Sequence, residues 1–186
     1  MISIRRALLS VSDKTGLLDL ARVLHEHGVQ LIASGGTATA LQTAGLPVTF
    51  VEQWTGHPEA MEGRIKTLHP RIHGGILARR DHSGDVEDLK RLGLEPIDLV
   101  VVNFYPFRQT LASGKPHDEI VEAIDVGGPS MVRAAAKNSD YVVVLTDPAQ
   151  YGEFIALLRK DGGVSEDFAH QCAAQAFAAL VSYDSA

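Results

Sequence analysis

The chain has a single cysteine, Cys172, few aromatic residues and no long hydrophobic run. One cysteine cannot form an internal disulfide, which excludes the disulfide-rich secreted class and fits a reducing compartment. No stretch approaches the roughly 20 apolar residues that a membrane-spanning helix needs. The N-terminus also lacks the apolar core of a signal peptide. We therefore expect a cytoplasmic protein with no membrane partner.

Basic residues are scarce as well. The sequence contains 17 Lys and Arg against 23 Asp and Glu, a net charge of −6. An acidic chain is a poor general ligand for nucleic acid, so no nucleic-acid partner is expected and any cationic site must be local. With 186 residues, 45% of them hydrophobic, the chain is long enough for one domain with a sizeable core. We expect a single domain over residues 1–186.

Short apolar runs alternate with segments of helical periodicity. Periodic segments with capping residues predict helices beginning near Leu17, Thr37, Asp85, Pro129, Pro148 and Ser165. Apolar runs predict strands at residues 7–11, 29–33, 47–51, 97–104 and 141–145, with a further short strand at 76–78. Strands that alternate with helices imply an α/β fold of three layers, in which a mainly parallel central sheet is flanked by helices.

Polar residues follow three of the predicted strands, at 10–14, 34–37 and 103–107. Ligands bind beyond the carboxyl ends of strands in such sheets. In Ser34-Gly35-Gly36-Thr37 the glycines allow an anion to approach the N–H groups of a helix start, although an ordinary turn with Thr37 as N-cap fits equally. The pattern places Lys14 in the first turn of a helix, where a cation opposes the helix dipole unless an anion accompanies it.

The segment from Gly63 to Gly75 concentrates positive charge. Pro70 is expected to interrupt any helix there, so we predict a loop. A guanidinium such as that of Arg64 grips phosphate with two parallel hydrogen bonds, whereas the Lys66 ammonium acts as a point charge. A cationic loop of this kind favours a small anionic ligand.

His69 and His73 of the same segment have a spacing found in zinc sites. Pro70 spoils the helical geometry, no cysteine is near and no third ligand is evident, so no metal is expected. We expect one histidine to be structural and the other to face the pocket.

The segment from Ile124 to Asn138 is the second strong signal. Two glycines lead into a helix on which Ser130, Arg133 and Lys137 share one face. Asp125 lies in the entering turn, so an Asp125–Lys137 pair across a pocket would suit proton transfer. The alternative is a solvated lysine on a surface helix.

The residues from Asn103 to Phe107 end the most apolar strand. Their aromatic side chains could simply plug the end of the sheet. Asn103 and Tyr105 would also suit recognition of a heterocycle by hydrogen bonding and shape.

Five of these segments, in this order and spacing, resemble the inosine monophosphate (IMP) cyclohydrolase domain of the bifunctional purine-biosynthesis (PurH) family: residues 10–16, 34–37, 63–75, 103–107 and 124–138. The resemblance covers essentially the whole chain. It implies a methylglyoxal-synthase-like fold, a homodimer, and no metal or cofactor. It also implies the last step of purine synthesis, in which 5-formamidoimidazole-4-carboxamide ribonucleotide (FAICAR) closes to IMP with loss of water.

The resemblance further implies roles for individual residues. Lys66 and Tyr105 would stabilise the oxyanion, Lys137 would transfer protons, and Asp125 would orient or deprotonate the attacking amide. Asn103 would help to hold the base. The residues expected to bind the nucleotide, chiefly its phosphate, are Ser12, Lys14, Ser34, Gly35, Gly36, Thr37, Arg64, Thr67, Asn103 and Gly127.

Two departures from the family pattern stand out. Family members usually continue into a formyltransferase domain beyond Tyr183-Asp184, which this sequence does not include. The chain is then either an excised domain or a stand-alone cyclohydrolase, and in both cases we expect no transformylase activity from it. Phe104 stands where the family usually has Leu. Two related proteins remain as alternatives: a methylglyoxal synthase acting on dihydroxyacetone phosphate, and a regulatory nucleotide-binding module that needs the phosphate grip without the catalytic set.

Overall fold

The computed structural model describes residues 1–105 and 107–186. Pro106, part of the predicted 103–107 motif, lies outside the described residues. The strands are β1 (Ile2–Ser3), β2 (Arg6–Val11), β3 (Gln30–Ala33), β4 (Thr49–Phe50), β5 (Leu99–Asn103), β6 (Val143–Leu145) and β7 (Gly163–Val164). Five of them form a parallel sheet in the order β4-β3-β2-β5-β6, and β1 pairs with β7 in a small antiparallel sheet. The predicted α/β class with a mainly parallel sheet is confirmed.

Ten helices are described in the two ranges: α1 (Leu17–Glu26), α2 (Gly35–Thr43), α3 (Val51–Thr55), α4 (Pro70–Leu77), α5 (Ser83–Leu92), α6 (Phe107–Ala112), α7 (His117–Glu122), α8 (Gly127–Lys137), α9 (Tyr151–Asp161) and α10 (Glu166–Asp184). Short 3-10 turns span Met61–Gly63 and Pro148–Gln150. Among the described residues, no helix combines the length and apolar character needed to cross a bilayer.

Alternate residues of the central strands pack into two separate cores. On one face, Ala7 and Leu9 of β2 pack in the cluster that contains the buried faces of α1 and α9. On the other face, Leu8 of β2 and Val100 of β5 pack with α4, α8 and part of α10. Because both faces are covered, the strands read as continuous apolar runs, and the sheet lies between two helical layers.

Two predictions around the cationic segment are wrong. Pro70 begins α4 instead of interrupting a helix, because a missing N–H costs nothing at the first helical position. The ring Nδ1 of His69 accepts the N–H of Arg71 at 3.1 Å and caps this helix. Ile76 and Leu77 end the same helix, with Ala78 as its C-cap, and no strand forms there. Ile72 and Ile76 are four residues apart and both fully buried, as expected on one face of a helix.

The segment between β5 and α8 holds two short helices that the sequence did not predict. Neither α6 nor α7 contains a buried residue, so no apolar periodicity marks them. They lie beside the carboxyl end of the sheet, and residues of α7 line the cavity described next.

Candidate active site

A cavity of about 870 Å³ lies where β2, β3 and β5 end. It is lined by residues that directly follow these strands, by residues 62–67, and by the segment from Glu119 to Gly128. Thirteen of the fourteen predicted site residues line it: Ser12, Lys14, Ser34, Gly35, Gly36, Thr37, Arg64, Lys66, Thr67, Asn103, Tyr105, Asp125 and Gly127. Segments far apart in sequence therefore meet at one edge of the sheet, as the strand-end rule predicts.

One end of the cavity is suited to an anion. The start of α2 presents the N–H groups of Gly35 and Gly36, for which the described residues provide no acceptor. A Cβ on Gly35 would lie 3.1 Å from the Lys66 ammonium, and one on Gly36 would lie 3.9 Å from the Lys14 ammonium. The helix dipole and two cations therefore converge on one spot. We call this group of Lys14, Gly35, Gly36 and Lys66 the anion cradle.

Two hydroxyls beside the anion cradle hold the backbone in place. Thr37 Oγ1 accepts the Val11 N–H at 3.0 Å and donates to the Val11 carbonyl at 3.1 Å, so it ties α2 to β2. Thr37 is therefore not the N-cap; that position belongs to Ser34, whose hydroxyl bonds Ser10 Oγ at 2.9 Å. Lys14 precedes α1, which begins at Leu17, so its placement in the first helical turn is also corrected.

Asn103 lines the cavity with its side chain already engaged. Its Oδ1 accepts the N–H groups of Ser12 and Asp13 at 2.7 and 2.9 Å, and its Nδ2 donates to the Asp13 carbonyl at 2.8 Å. Only one hydrogen of Nδ2 is left for a ligand. Asn103 therefore shapes the loop that carries Ser12 and Lys14, in addition to any contact with a base.

Asp125 is half-buried in the turn before α8. Burial raises the pKa of its carboxyl, while the hydrogen bond from Gly128 N–H at 2.9 Å and the charge of Lys66 oppose that rise. The lysine that acts on Asp125 is thus Lys66, not the predicted Lys137. A half-buried carboxyl with a raised pKa is a candidate for a group that exchanges a proton with a ligand.

Gly127 is in tight contact with the cationic segment. A Cβ on Gly127 would lie 2.3 Å from Thr67 Oγ1, a distance that no side chain could tolerate. Thr67 is only 5% exposed, so its hydroxyl has little room to move. Glycine at position 127 therefore allows the Asp125 turn to pack directly against the segment that carries Lys66.

Lys137 is the one predicted site residue that does not line the cavity. It is the exposed last residue of α8, about 15 Å along the helix from Gly127 at 1.5 Å per residue. Its proposed proton transfer stays a prediction, and the Asp125–Lys137 pair across the cavity does not form within this chain.

Neither histidine of the cationic segment lines the cavity, contrary to the expectation for one of them. His69 caps α4, and burial lowers the pKa of His73. Because α4 starts at Pro70, His73 lies in its first turn, half-buried beside the fully buried Ile72.

Three further acidic residues that line the cavity were not foreseen. Glu62, Glu119 and Glu122 line the cavity together with Asp125. Glu122 of α7 accepts two hydrogen bonds from the Arg64 guanidinium, one of them from Nε at 3.1 Å. Fifty-eight residues separate the two partners, and no sequence pattern links them. In this structure Arg64 is therefore bound to a carboxylate of its own chain.

The Arg64–Glu122 pair leads to a first prediction. A Glu122→Gln substitution should tighten binding of IMP about twofold to fivefold, because an anionic ligand no longer competes with a carboxylate for Arg64. The gain should shrink at high salt, since both side chains are exposed. Calorimetric titration at two salt concentrations measures it, with Glu153→Gln on α9 as a control. Equal affinities at low salt would show that the pair does not restrain Arg64.

Comparison with known proteins identifies the family. The profile described as MGS-like domain matches residues 16–130, more than half of the chain. The chain belongs to the MGS-like domain family. A second profile, described as AICARFT/IMPCHase bienzyme, matches residues 135–186, which follow the MGS-like match. The crystal structure of ForH superposes on the chain with a TM-score of 0.86 and 36% identity, covering 98% of this chain and 96% of that one.

Curated relatives of this MGS-like domain carry the name bifunctional purine biosynthesis protein PurH. The protein from Trichormus variabilis is 56% identical over 185 residues, and that from Sorangium cellulosum is 57% identical over 182. The protein from Rhizobium etli is 51% identical over all 186 residues. The match covers 97–100% of this chain but only 34–37% of these relatives, at their N-terminal part. The chain thus spans about a third of their length, and the suspected relation to PurH is confirmed.

Proposed function

We propose that this chain is an IMP cyclohydrolase, which closes FAICAR to IMP in the last step of de novo purine synthesis. The carboxamide nitrogen attacks the formyl carbon and a carbon–nitrogen bond forms. The formyl oxygen leaves as water with two protons, one from the carboxamide nitrogen and one from the formamido nitrogen. No formyl transfer is included in the proposal.

The observation that carries the proposal is a single cavity that holds both the anion cradle and the Asp125 carboxyl. The cradle suits the phosphate of a nucleotide, and Asp125 and Tyr105 line the same cavity. The carboxylates among the lining residues offer acceptors to the amide N–H groups of such a ligand. The similarity to PurH proteins supports the same choice of substrate.

The proposed mechanism uses few groups. Ring closure is already unimolecular, so the protein has to fix the reactive conformation and stabilise charge. Asp125 orients the carboxamide and accepts its proton, helped by a carboxyl pKa that burial raises. Lys66 and Tyr105 stabilise the oxyanion that develops on the formyl oxygen. Lys66 is part of the anion cradle and its charge also acts on the Asp125 carboxyl, so in this proposal it contributes to phosphate binding as well.

The remaining predicted residues bind the nucleotide in this proposal. The cradle residues and Ser34 hold the phosphate, Arg64 contributes once it leaves Glu122, and Ser12, Thr37, Thr67, Asn103 and Gly127 shape the pocket. The proposed active form is a homodimer, as the resemblance implies, and no metal or cofactor takes part.

Direct assay tests the proposal. The purified chain should convert FAICAR to IMP, followed by absorbance, and should form no methylglyoxal from dihydroxyacetone phosphate. Lys137→Ala should lower kcat if Lys137 transfers protons, whereas the matched surface variant Lys160→Ala on α9 should not. Tight binding of IMP without any turnover would contradict the enzyme and favour a regulatory nucleotide-binding module. Methylglyoxal formation would favour the synthase.

A further inference from the structure

Tyr183 contacts both segments that carry the proposed catalytic groups. It is the next-to-last residue of α10. Its phenol oxygen accepts the backbone N–H of Asp125 at 2.7 Å. Its ring lies 4.9 Å from that of Phe104 and 6.3 Å from that of Phe107, measured between centroids. One side chain thus reaches the Asp125 turn and the residues on both sides of Tyr105.

The contact with Asp125 adds to the restraint on the turn between α7 and α8. On one side of Asp125, α7 contains no buried residue. On the other side, the carboxylate accepts the N–H of Gly128, whose missing side chain makes room for it. With Tyr183 on its backbone and Gly128 on its carboxylate, Asp125 is held at two points. Loss of either bond would free the turn to rotate.

The end of α10 is itself fixed to the same region. Arg133 of α8 forms an ion pair with Asp184. Arg108 of α6 donates to the carbonyl of Ser182 at 3.2 Å. The helix end therefore contacts α6 and α8 on both sides of Tyr183.

We propose that Tyr183 is a positioning residue, which holds Asp125 and the Tyr105 segment in the arrangement needed for ring closure. This inference rests on the proposed function. Tyr183 does not line the main cavity and so acts through Asp125 instead of touching substrate. The apolar surroundings of its ring explain why a tyrosine suits the position: the ring packs against two phenylalanines while its hydroxyl reaches a polar group.

The test is Tyr183→Phe, which keeps the ring and removes only the hydroxyl. We expect kcat for FAICAR to fall about tenfold to a hundredfold, the scale of a small displacement of a reacting group. KM should stay close to its original value, because Tyr183 does not touch the anion cradle. Tyr141→Phe is the matched control: it removes a phenol hydrogen bond to Asp81, outside the cavity, and should leave kcat unchanged.

Two further readouts separate positioning from a general loss of stability. Amide hydrogen exchange at Asp125 should accelerate about fivefold or more in Tyr183→Phe. The groups that act on the Asp125 carboxyl are Lys66 and the Gly128 N–H, and burial raises its pKa. As the loosened turn admits water, the carboxyl pKa should fall towards its ordinary value, and the acid limb of kcat should move to lower pH.

Two outcomes of these measurements would overturn the role proposed for Tyr183. Unchanged exchange and unchanged carboxyl pKa, measured by NMR, would overturn the inference. Faster exchange with unaltered kcat and acid limb would also overturn it, because the hold on Asp125 would then have no catalytic consequence. If the unaltered protein does not turn over FAICAR, the proposed function fails, and the two NMR readouts still decide whether Tyr183 holds Asp125.

Discussion

An Asp125→Asn variant should lose turnover of FAICAR by about a hundredfold to ten-thousandfold, the usual contribution of a general base. Asparagine keeps an oxygen that can accept the Gly128 N–H, so the start of α8 should stay intact. Affinity for IMP should change little, because the anion cradle is formed by other residues. The measurement is kcat alongside the dissociation constant for IMP. The expected pattern is a fall in kcat alone.

The pH dependence gives a second test of Asp125. Burial raises the pKa of its carboxyl, so the fall of kcat at acid pH (the acid limb) should lie at a higher pH than the pKa of an exposed aspartate would give. The carboxylate must be ionised to accept a proton; as the pH falls through the raised pKa, it becomes protonated and kcat declines. Asp140→Asn, at an exposed carboxylate bonded to His170, serves as the control and should retain both kcat and the limb. A similar acid limb in residual Asp125→Asn activity would assign that titration to another group.

The central sheet could be predicted because its strands are buried on both faces. Leu99 to Val102 and Val143 to Leu145 are continuous apolar runs in the sequence, and all of these residues are fully or almost fully buried. In these two segments the run of apolar residues was enough to predict a strand. The helices α6 and α7 could not be found in this way, because no residue of either is buried and periodicity depends on burial.

The site was predictable where chemistry is local and unpredictable where it depends on distant contacts. The glycines and serines after β2 and β3 could be found because ligand-binding residues follow strand ends. The Arg64–Glu122 pair and the Asp125–Tyr183 bond each join residues 58 positions apart. Rules based on residue spacing predict contacts within one helix or turn and cannot predict contacts at this separation. For the same reason the sequence predicts Lys137, which is close to Asp125 along the chain, as its partner. Lys66 becomes a neighbour of Asp125 only in the folded chain.

Gly127→Ala should impair function more than stability. The added methyl group would lie 2.3 Å from Thr67 Oγ1, so the Asp125 turn and the Lys66 segment must separate. We expect kcat/KM to fall about a hundredfold through misplaced catalytic groups. Overpacking typically costs about 1–3 kcal/mol, and replacing a helical glycine returns up to about 1 kcal/mol. The net loss of unfolding free energy should therefore be about 0–3 kcal/mol, measured by urea denaturation.

Gly152→Ala is the matched control for Gly127→Ala. A Cβ on Gly152, in α9, would meet nothing within 4 Å, so this variant should gain up to about 1 kcal/mol and keep its kcat/KM. In the double variant Gly127→Ala/Thr67→Ala the clashing oxygen is gone, so stability should return. If kcat/KM also returned, the close approach of the two segments would be the whole requirement. If it did not, the Thr67 hydroxyl would itself act on the ligand. Full activity in Gly127→Ala alone would contradict the close packing of the Asp125 turn as a condition for turnover.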